Sequence, residues 1–164
     1  MSTSPPTASD TVVEPRDPGA PLGPVRREVL VRATPDDAYR MFLDGIGTWW
    51  PLAGFSVFGG DSTVVRDGDR IIERTTAGET SEWGRVLEGE APHRMRVAWH
   101  PGHDSDRGTF DVEFTPGEVA GHTRVVLEHT GWESYGDDAA AMHENYRTGW
   151  PLVLAAFQAR LLRA

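Results

Sequence analysis

Through much of the second half of the chain, apolar and polar residues alternate with a period of two. Arg94–His100 puts Met95, Val97 and Trp99 on one side. Gly108–Thr115 sets Phe110, Val112 and Phe114 against Asp111 and Glu113, and His122–Thr130 sets Val125, Leu127 and His129 against Arg124, Val126 and Glu128. Such alternation predicts strands with one dry and one wet face, the pattern of an antiparallel meander. Further upstream, Thr63–Arg66 and Arg70–Thr76 flank Asp67-Gly68-Asp69, a hairpin signature, and a further run, Glu82–Glu88, ends before Pro92. Arg26–Val31 closes in an apolar run and reads as a first strand.

Helical signals lie at the two ends of this β region. Thr34-Pro35-Asp36-Asp37 supplies an N-cap, a proline at the first helical position and two acids for the first turn, with Ala38, Met41 and Phe42 as the apolar stripe. Gly45–Pro51 predicts a second short helix. Near the C-terminus, Met142, Tyr146, Val153, Phe157 and Leu161 share a face of one long helix that Asp137 and Asp138 open, and Pro151 is expected to bend or loosen it. The economical packing is an α+β helix-grip arrangement: a curved antiparallel sheet of about six strands after the first, wrapping the long C-terminal helix, with two short helices after the first strand.

Composition narrows the chemistry. Residues 1–24 hold six of the twelve prolines and bury too little apolar surface to offset ordering, so a disordered tail is expected before a single domain over 25–164. There is no cysteine and no lysine, which removes thiol nucleophiles, disulfides, thiolate metal sites and Schiff-base chemistry. A net charge of -9 disfavours nucleic acid and anionic membrane as partners. No apolar run is long enough to span a bilayer and the N-terminus lacks the pattern of a secretory signal, so a cytoplasmic location is expected.

Several segments occur together in a familiar order: Arg70-Ile71-Ile72-Glu73-Arg74, Glu82-Trp83-Gly84-Arg85-Val86-Leu87, Ala91-Pro92-His93-Arg94-Met95, Ala98-Trp99, Thr123 to His129, and Gly149-Trp150-Pro151. From about Val25 to Leu162 the chain resembles the SRPBCC (START-like) superfamily, in particular bacterial relatives of heat-shock protein 90 ATPase activators. The resemblance implies the helix-grip fold and a deep cavity between sheet and long helix. Gly68-Asp69 and Ile72 depart from the pattern of many relatives, which leaves a pocket at Glu73 but not its shape. Eukaryotic activators carry a separate chaperone-docking domain for which 164 residues leave no room, so a chaperone partner is not expected.

Six tryptophans, at 49, 50, 83, 99, 132 and 150, are more large rings than a small core ordinarily needs. Either they fill the core or some of them line a ligand cavity. The candidate ligand-binding residues are Trp49, Trp50, Phe55, Phe58, Glu73, Trp83, Trp99, Phe110, His129, Tyr146 and Trp150, with one or two of Glu73, His129 and Tyr146 orienting the polar end of the ligand and the loop Gly54–Gly60 as a lid. Glu73, if it points inward, needs an arginine or a ligand beside it, or its pKa rises. His129 lies in phase with the dry face, and were it to face Glu73 the two could act as acid and base. The run His100 to Asp106 resembles a metal loop but lies in a turn and lacks a further ligand at fixed spacing, so neither metal nor cofactor is expected. The function expected is binding of a hydrophobic or amphipathic small molecule, for carriage, sequestration or sensing. The alternatives are a cyclase, dehydratase or hydrolase acting on a polyketide-like substrate in the same cavity, and an interaction module related to chaperone activation.

Overall fold

The computed structural model describes residues 22–163, so most of the expected disordered tail lies outside the described residues. Leu22 and Gly23 already belong to the packed domain. Leu22 rests on the core, and the Gly23 carbonyl accepts a 3.0 Å hydrogen bond from Nε2 of His143.

Seven antiparallel strands form one sheet: β1 (Val25–Val31), β2 (Ser62–Asp67), β3 (Arg70–Thr75), β4 (Thr80–Glu90), β5 (Arg94–Trp99), β6 (Gly108–Pro116) and β7 (Thr123–Thr130). Their spatial order is β1-β7-β6-β5-β4-β3-β2. The six later strands form a plain meander. β1 joins at the far edge by pairing with β7, Val25 opposite His129 and Val31 opposite Thr123. The connection from β1 to β2 therefore crosses from one sheet edge to the other. It carries α1 (Pro35–Leu43) and a 3-10 turn, Ile46–Thr48, the two short helices the pattern calls for. Thr34 caps α1 by accepting from the Asp37 N–H at 3.2 Å, and Pro35 follows as the first residue.

The alternating residues land as expected. Phe110, Val112, Phe114, Val125, Leu127 and His129 are all buried, as are Met95, Val97 and Trp99. On the outer face, Arg124 of β7 forms a two-pronged ion pair with Glu28 of β1 at 2.5 and 2.7 Å. The alternation fails in β3, where Ile71, Ile72 and Glu73 are all buried. The reason is in the pairing: Ile71 opposes Gly84 and Ile72 opposes Glu82, which leaves Trp83 as the extra residue of a bulge. A bulge re-aims a side chain and sharpens the local twist.

A 3-10 segment, Trp132–Asp138, leads into the long helix α2 (Ala139–Leu162), which packs its buried residues Trp150, Val153, Leu154, Phe157 and Leu161 against the concave face. α2 continues through Pro151 as one helix. A proline there leaves the carbonyl four residues earlier, that of Arg147, without its helical donor. The Arg27 guanidinium on β1 reaches across and donates to that carbonyl at 2.9 Å. Among the described residues, no helix is long and apolar enough to cross a membrane.

Candidate functional site

The hollow between sheet and α2 contains an aromatic cluster. Trp83 enters it from the β4 bulge, and Trp99 from the end of β5. Gly84 makes their approach possible: a Cβ there would lie 2.0 Å from the Ala98 carbonyl oxygen and 3.1 Å from Trp99 Cε3. Trp150 enters from α2. Trp50, in the connection after the 3-10 turn, sits among the three, its ring centre 5.2 Å from Trp83, 5.6 Å from Trp99 and 6.3 Å from Trp150. Trp83, Trp99 and Trp150 are buried, whereas Trp50 is only partly so. Tilted and edge-on contacts of this kind stabilise by ring electrostatics as well as by buried area.

Beside the cluster remains a cavity of about 280 Å³. Trp50, Phe55, Trp83, Trp99, Tyr146 and Trp150 all line it. Met142, Asn145, Gly149 and Val153 complete the α2 wall, and Gly54, Ser56 and Val57 the wall formed by the loop before β2. No charged side chain contributes to the lining. Five other residues singled out from the sequence lie elsewhere. Trp49 packs on Phe42 and Phe157, with its indole N–H donating to the Met41 carbonyl at 3.0 Å. Phe110 stands behind the cluster, 5.1 Å from Trp99 and 5.3 Å from Trp150. Phe58, Glu73 and His129 are also outside the lining.

Glu73 is fully buried, yet its partner is neither an arginine nor the cavity. Its carboxylate accepts from the hydroxyls of Ser56 and Ser62 and, at 2.8 Å, from the Val57 N–H. Burial alone would raise its pKa. These hydrogen bonds outweigh that and hold the group below the ordinary carboxylate value, opposite to the rise expected for an unpaired acid. Ser56 is oriented by the loop itself. Ser56 Oγ accepts from the Phe58 N–H at 3.1 Å and the Gly60 N–H at 3.0 Å, so its proton is free for Glu73. Glu73 is thus the latch of the loop expected to act as a lid. A second tie is the Trp50 indole N–H, which donates to the Phe55 carbonyl at 2.8 Å.

His129 does not join Glu73 as an acid–base pair. Its Nδ1 accepts from the Trp150 indole N–H at 3.0 Å, while Nε2 is buried without a partner. Trp132 and Tyr146 flank the ring at 4.3 and 4.6 Å. Burial, with a smaller contribution from His143, pushes its pKa down to about 3, so the ring is neutral near pH 7. The Tyr146 hydroxyl is raised far above its ordinary value, chiefly by burial and then by Tyr135. At the turn between β5 and β6, His100 Nδ1 donates to the His103 carbonyl at 2.9 Å, and Nε2 lies 3.6 Å from Asp106. Among the described residues no three His, Asp or Glu converge as metal ligands.

Sequence reasoning missed Ser56, Ser62 and Gly149. Two serines 11 and 17 residues from Glu73 carry no local signal, because the fold alone makes them neighbours. Gly149 sits inside α2, where a Cβ would lie 3.1 Å from Phe55 Cε1, and its lack of a side chain lets the Phe55 ring lie on the helix.

Comparison with known proteins agrees with this architecture. The self-sacrificing resistance protein CalC from Micromonospora echinospora is 27% identical, over 85% of this chain and 94% of that one, with a TM-score of 0.66. The anthrahydroquino-gama-pyrone synthase Txn09, solved in complex with SUM, is 28% identical over 85% of this chain and 97% of that one, with a TM-score of 0.57. The Aha1 dimer from Colwellia psychrerythraea shares the fold at 15% identity, over 85% and 96% of the two chains, with a TM-score of 0.55. No curated protein matches. The model of the family described as Activator of Hsp90 ATPase homolog 1-like protein matches residues 32–161, and the chain belongs to that family.

Proposed function

We propose that this domain binds one hydrophobic or amphipathic small molecule in the cavity between sheet and α2, and so carries, sequesters or senses it. The observation that carries the reading is the lining: six aromatic rings, no charged side chain, and a few polar groups at Ser56, Asn145 and Tyr146. A concave, mostly apolar wall with sparse polar groups is the usual form of a small-molecule site. Two relatives above a quarter identity, one named a synthase and the other a resistance protein, support a role in small-molecule chemistry.

An enzymatic reading on the same cavity is favoured by the name of the synthase relative alone. In this chain the carboxylate and imidazole best suited to proton transfer are engaged elsewhere. Glu73 holds the lid, and His129 is neutral and bonded to Trp150. Both lie behind the lining rather than in it.

The test is native mass spectrometry of protein purified from its own host. A stoichiometric small-molecule adduct that disappears on denaturation is expected. Protein that carries no adduct, and whose tryptophan emission does not respond to a lipophilic extract of that host, would overturn the binding reading.

A further inference from the structure

The cavity as it stands, at about 280 Å³, lies just below the usual range for ligand sites, roughly 300–1,000 Å³, and Trp50 beside it is the least buried of the four clustered indoles. Trp49 and Trp50 are adjacent in sequence but differ in how they are held. Trp49 is buried against Phe42 and Phe157, whereas Trp50 is half-buried and leads through Pro51 into a loop without regular structure. The Trp50 indole N–H makes a single hydrogen bond, to Phe55 in that same loop. Its ring nevertheless occupies the centre of a three-indole cage.

The cage is also incompletely satisfied. The Trp83 indole N–H is buried with no acceptor. That of Trp99 has the Tyr146 hydroxyl in its vicinity but not in hydrogen-bonding geometry. A buried donor left without an acceptor forfeits its hydration and gains nothing in return. An indole nitrogen can only donate, so the complementary guest offers acceptors. A lining without charged side chains makes an ionic guest costly to bury.

We propose that Trp50 is a displaceable plug, and that the guest is a flat, uncharged aromatic molecule bearing carbonyl or ether oxygens, which takes the place of its indole. Displacement would unite the Trp50 site with the existing cavity and uncover Trp83 and Trp99. The inference rests on the binding reading above and adds to it the ligand class and the gate.

The probe is 1,8-dihydroxyanthraquinone, with 1-decanol as a neutral amphiphile lacking rings. With neither cysteine nor lysine in the chain, binding of a quinone reads as reversible. Titration of the wild type and of Trp50→Ala should show the variant binding the quinone at least tenfold more tightly, with decanol weaker in both. In the ¹H–¹⁵N spectrum of the wild type, saturating quinone should shift the Trp83 indole N–H downfield and bring the Trp50 indole N–H into fast exchange with water. Equal or weaker quinone binding by a folded Trp50→Ala protein would overturn the plug. Tighter binding of decanol than of quinone would overturn the ligand class while sparing the binding reading. Failure of both probes on both folded proteins would count against the binding reading itself. If Trp50→Ala does not fold, the wild-type spectrum decides, since an unchanged Trp50 signal at saturation overturns the proposal.

Discussion

The indole N–H of Trp150 on α2 donates a 3.0 Å hydrogen bond to Nδ1 of His129 on β7, joining the long helix to the strand that pairs with the β1 edge. The bond fixes the imidazole as the neutral tautomer with its proton on Nε2, in a site from which charge is excluded by burial. A histidine depressed from 6.5 to about 3 on folding takes up protons in the unfolded state first. Its stabilising contribution is therefore complete above pH 6.5 and declines as pH falls toward 3.

At pH 5 the expected loss is about 2 kcal/mol, from 1.36 kcal/mol per pH unit below the ordinary imidazole value. Urea unfolding at pH 7 and pH 5 measures it directly. His129→Gln keeps an acceptor for Trp150 but cannot titrate, so its stability should be lower at pH 7 and much flatter between the two. A wild-type stability that does not change over this interval would show that the imidazole is not excluded from charge as the structure implies.

Glu73 gives a different pH signature. Because its folded pKa is depressed, the stability it contributes is present above the ordinary carboxylate range and is lost as pH falls through the lower folded value. The loss therefore belongs to more acidic conditions than that of His129. Glu73→Gln replaces an acceptor by an amide that must donate on one side. Ser56 Oγ cannot readily accept it, since Phe58 and Gly60 already donate there. A cost of about 2–3 kcal/mol follows from losing hydrogen bonds to a buried charge. Amide exchange at Phe58 and Gly60 should accelerate more than in β5–β7, and uniform acceleration across the chain would deny Glu73 its role as a local latch.

The sheet was largely legible because each of β5, β6 and β7 buries one face, which forces period-two alternation onto the sequence. The capped start of α1 was legible because the orphan N–H groups of a first turn demand particular residues nearby. Glu73 resisted because the Trp83 bulge breaks the alternation in its neighbourhood and its partners Ser56 and Val57 come from the loop before β2, with Ser62 at the start of that strand. His129 could be placed on the dry face from Val125 and Leu127, whereas its bond to Trp150 depends on how α2 sits across the sheet. Of the eleven candidate site residues, those reaching the cavity are rings on β4, β5, α2 and the connection that precedes β2. The others face the same hollow's deeper layer or serve the lid, a distinction of depth that periodicity does not encode.

Pro151 and Arg27 make a separable pair. If Arg27 stabilises chiefly by donating to the Arg147 carbonyl left free by the proline, then Arg27→Ala should cost about 1 kcal/mol in the wild-type background. Pro151→Ala restores a helical donor to that carbonyl, so in its background Arg27→Ala should cost much less. A double-mutant cycle by chemical denaturation gives the coupling. Strictly additive effects would mean that the guanidinium acts elsewhere and that the helix tolerates its interior proline for another reason.

Gly149 is where helix stability and lid position oppose each other. An alanine would favour the helix by about 1 kcal/mol, but its Cβ would press on Phe55 at 3.1 Å. Phe55 belongs to a loop and can yield by a few tenths of an ångström, so Gly149→Ala should be close to neutral or slightly stabilising. Gly149→Leu leaves no such accommodation, and the Phe55 ring must leave the helix, with about 1–3 kcal/mol lost to overpacking. Adding Phe55→Ala should recover part of that loss, because the leucine then occupies the space vacated by the ring. Thermal unfolding of the single and double variants checks this. A Gly149→Leu protein as stable as the wild type, or one that Phe55→Ala fails to rescue, would show that the lid ring is not held against α2 at this glycine.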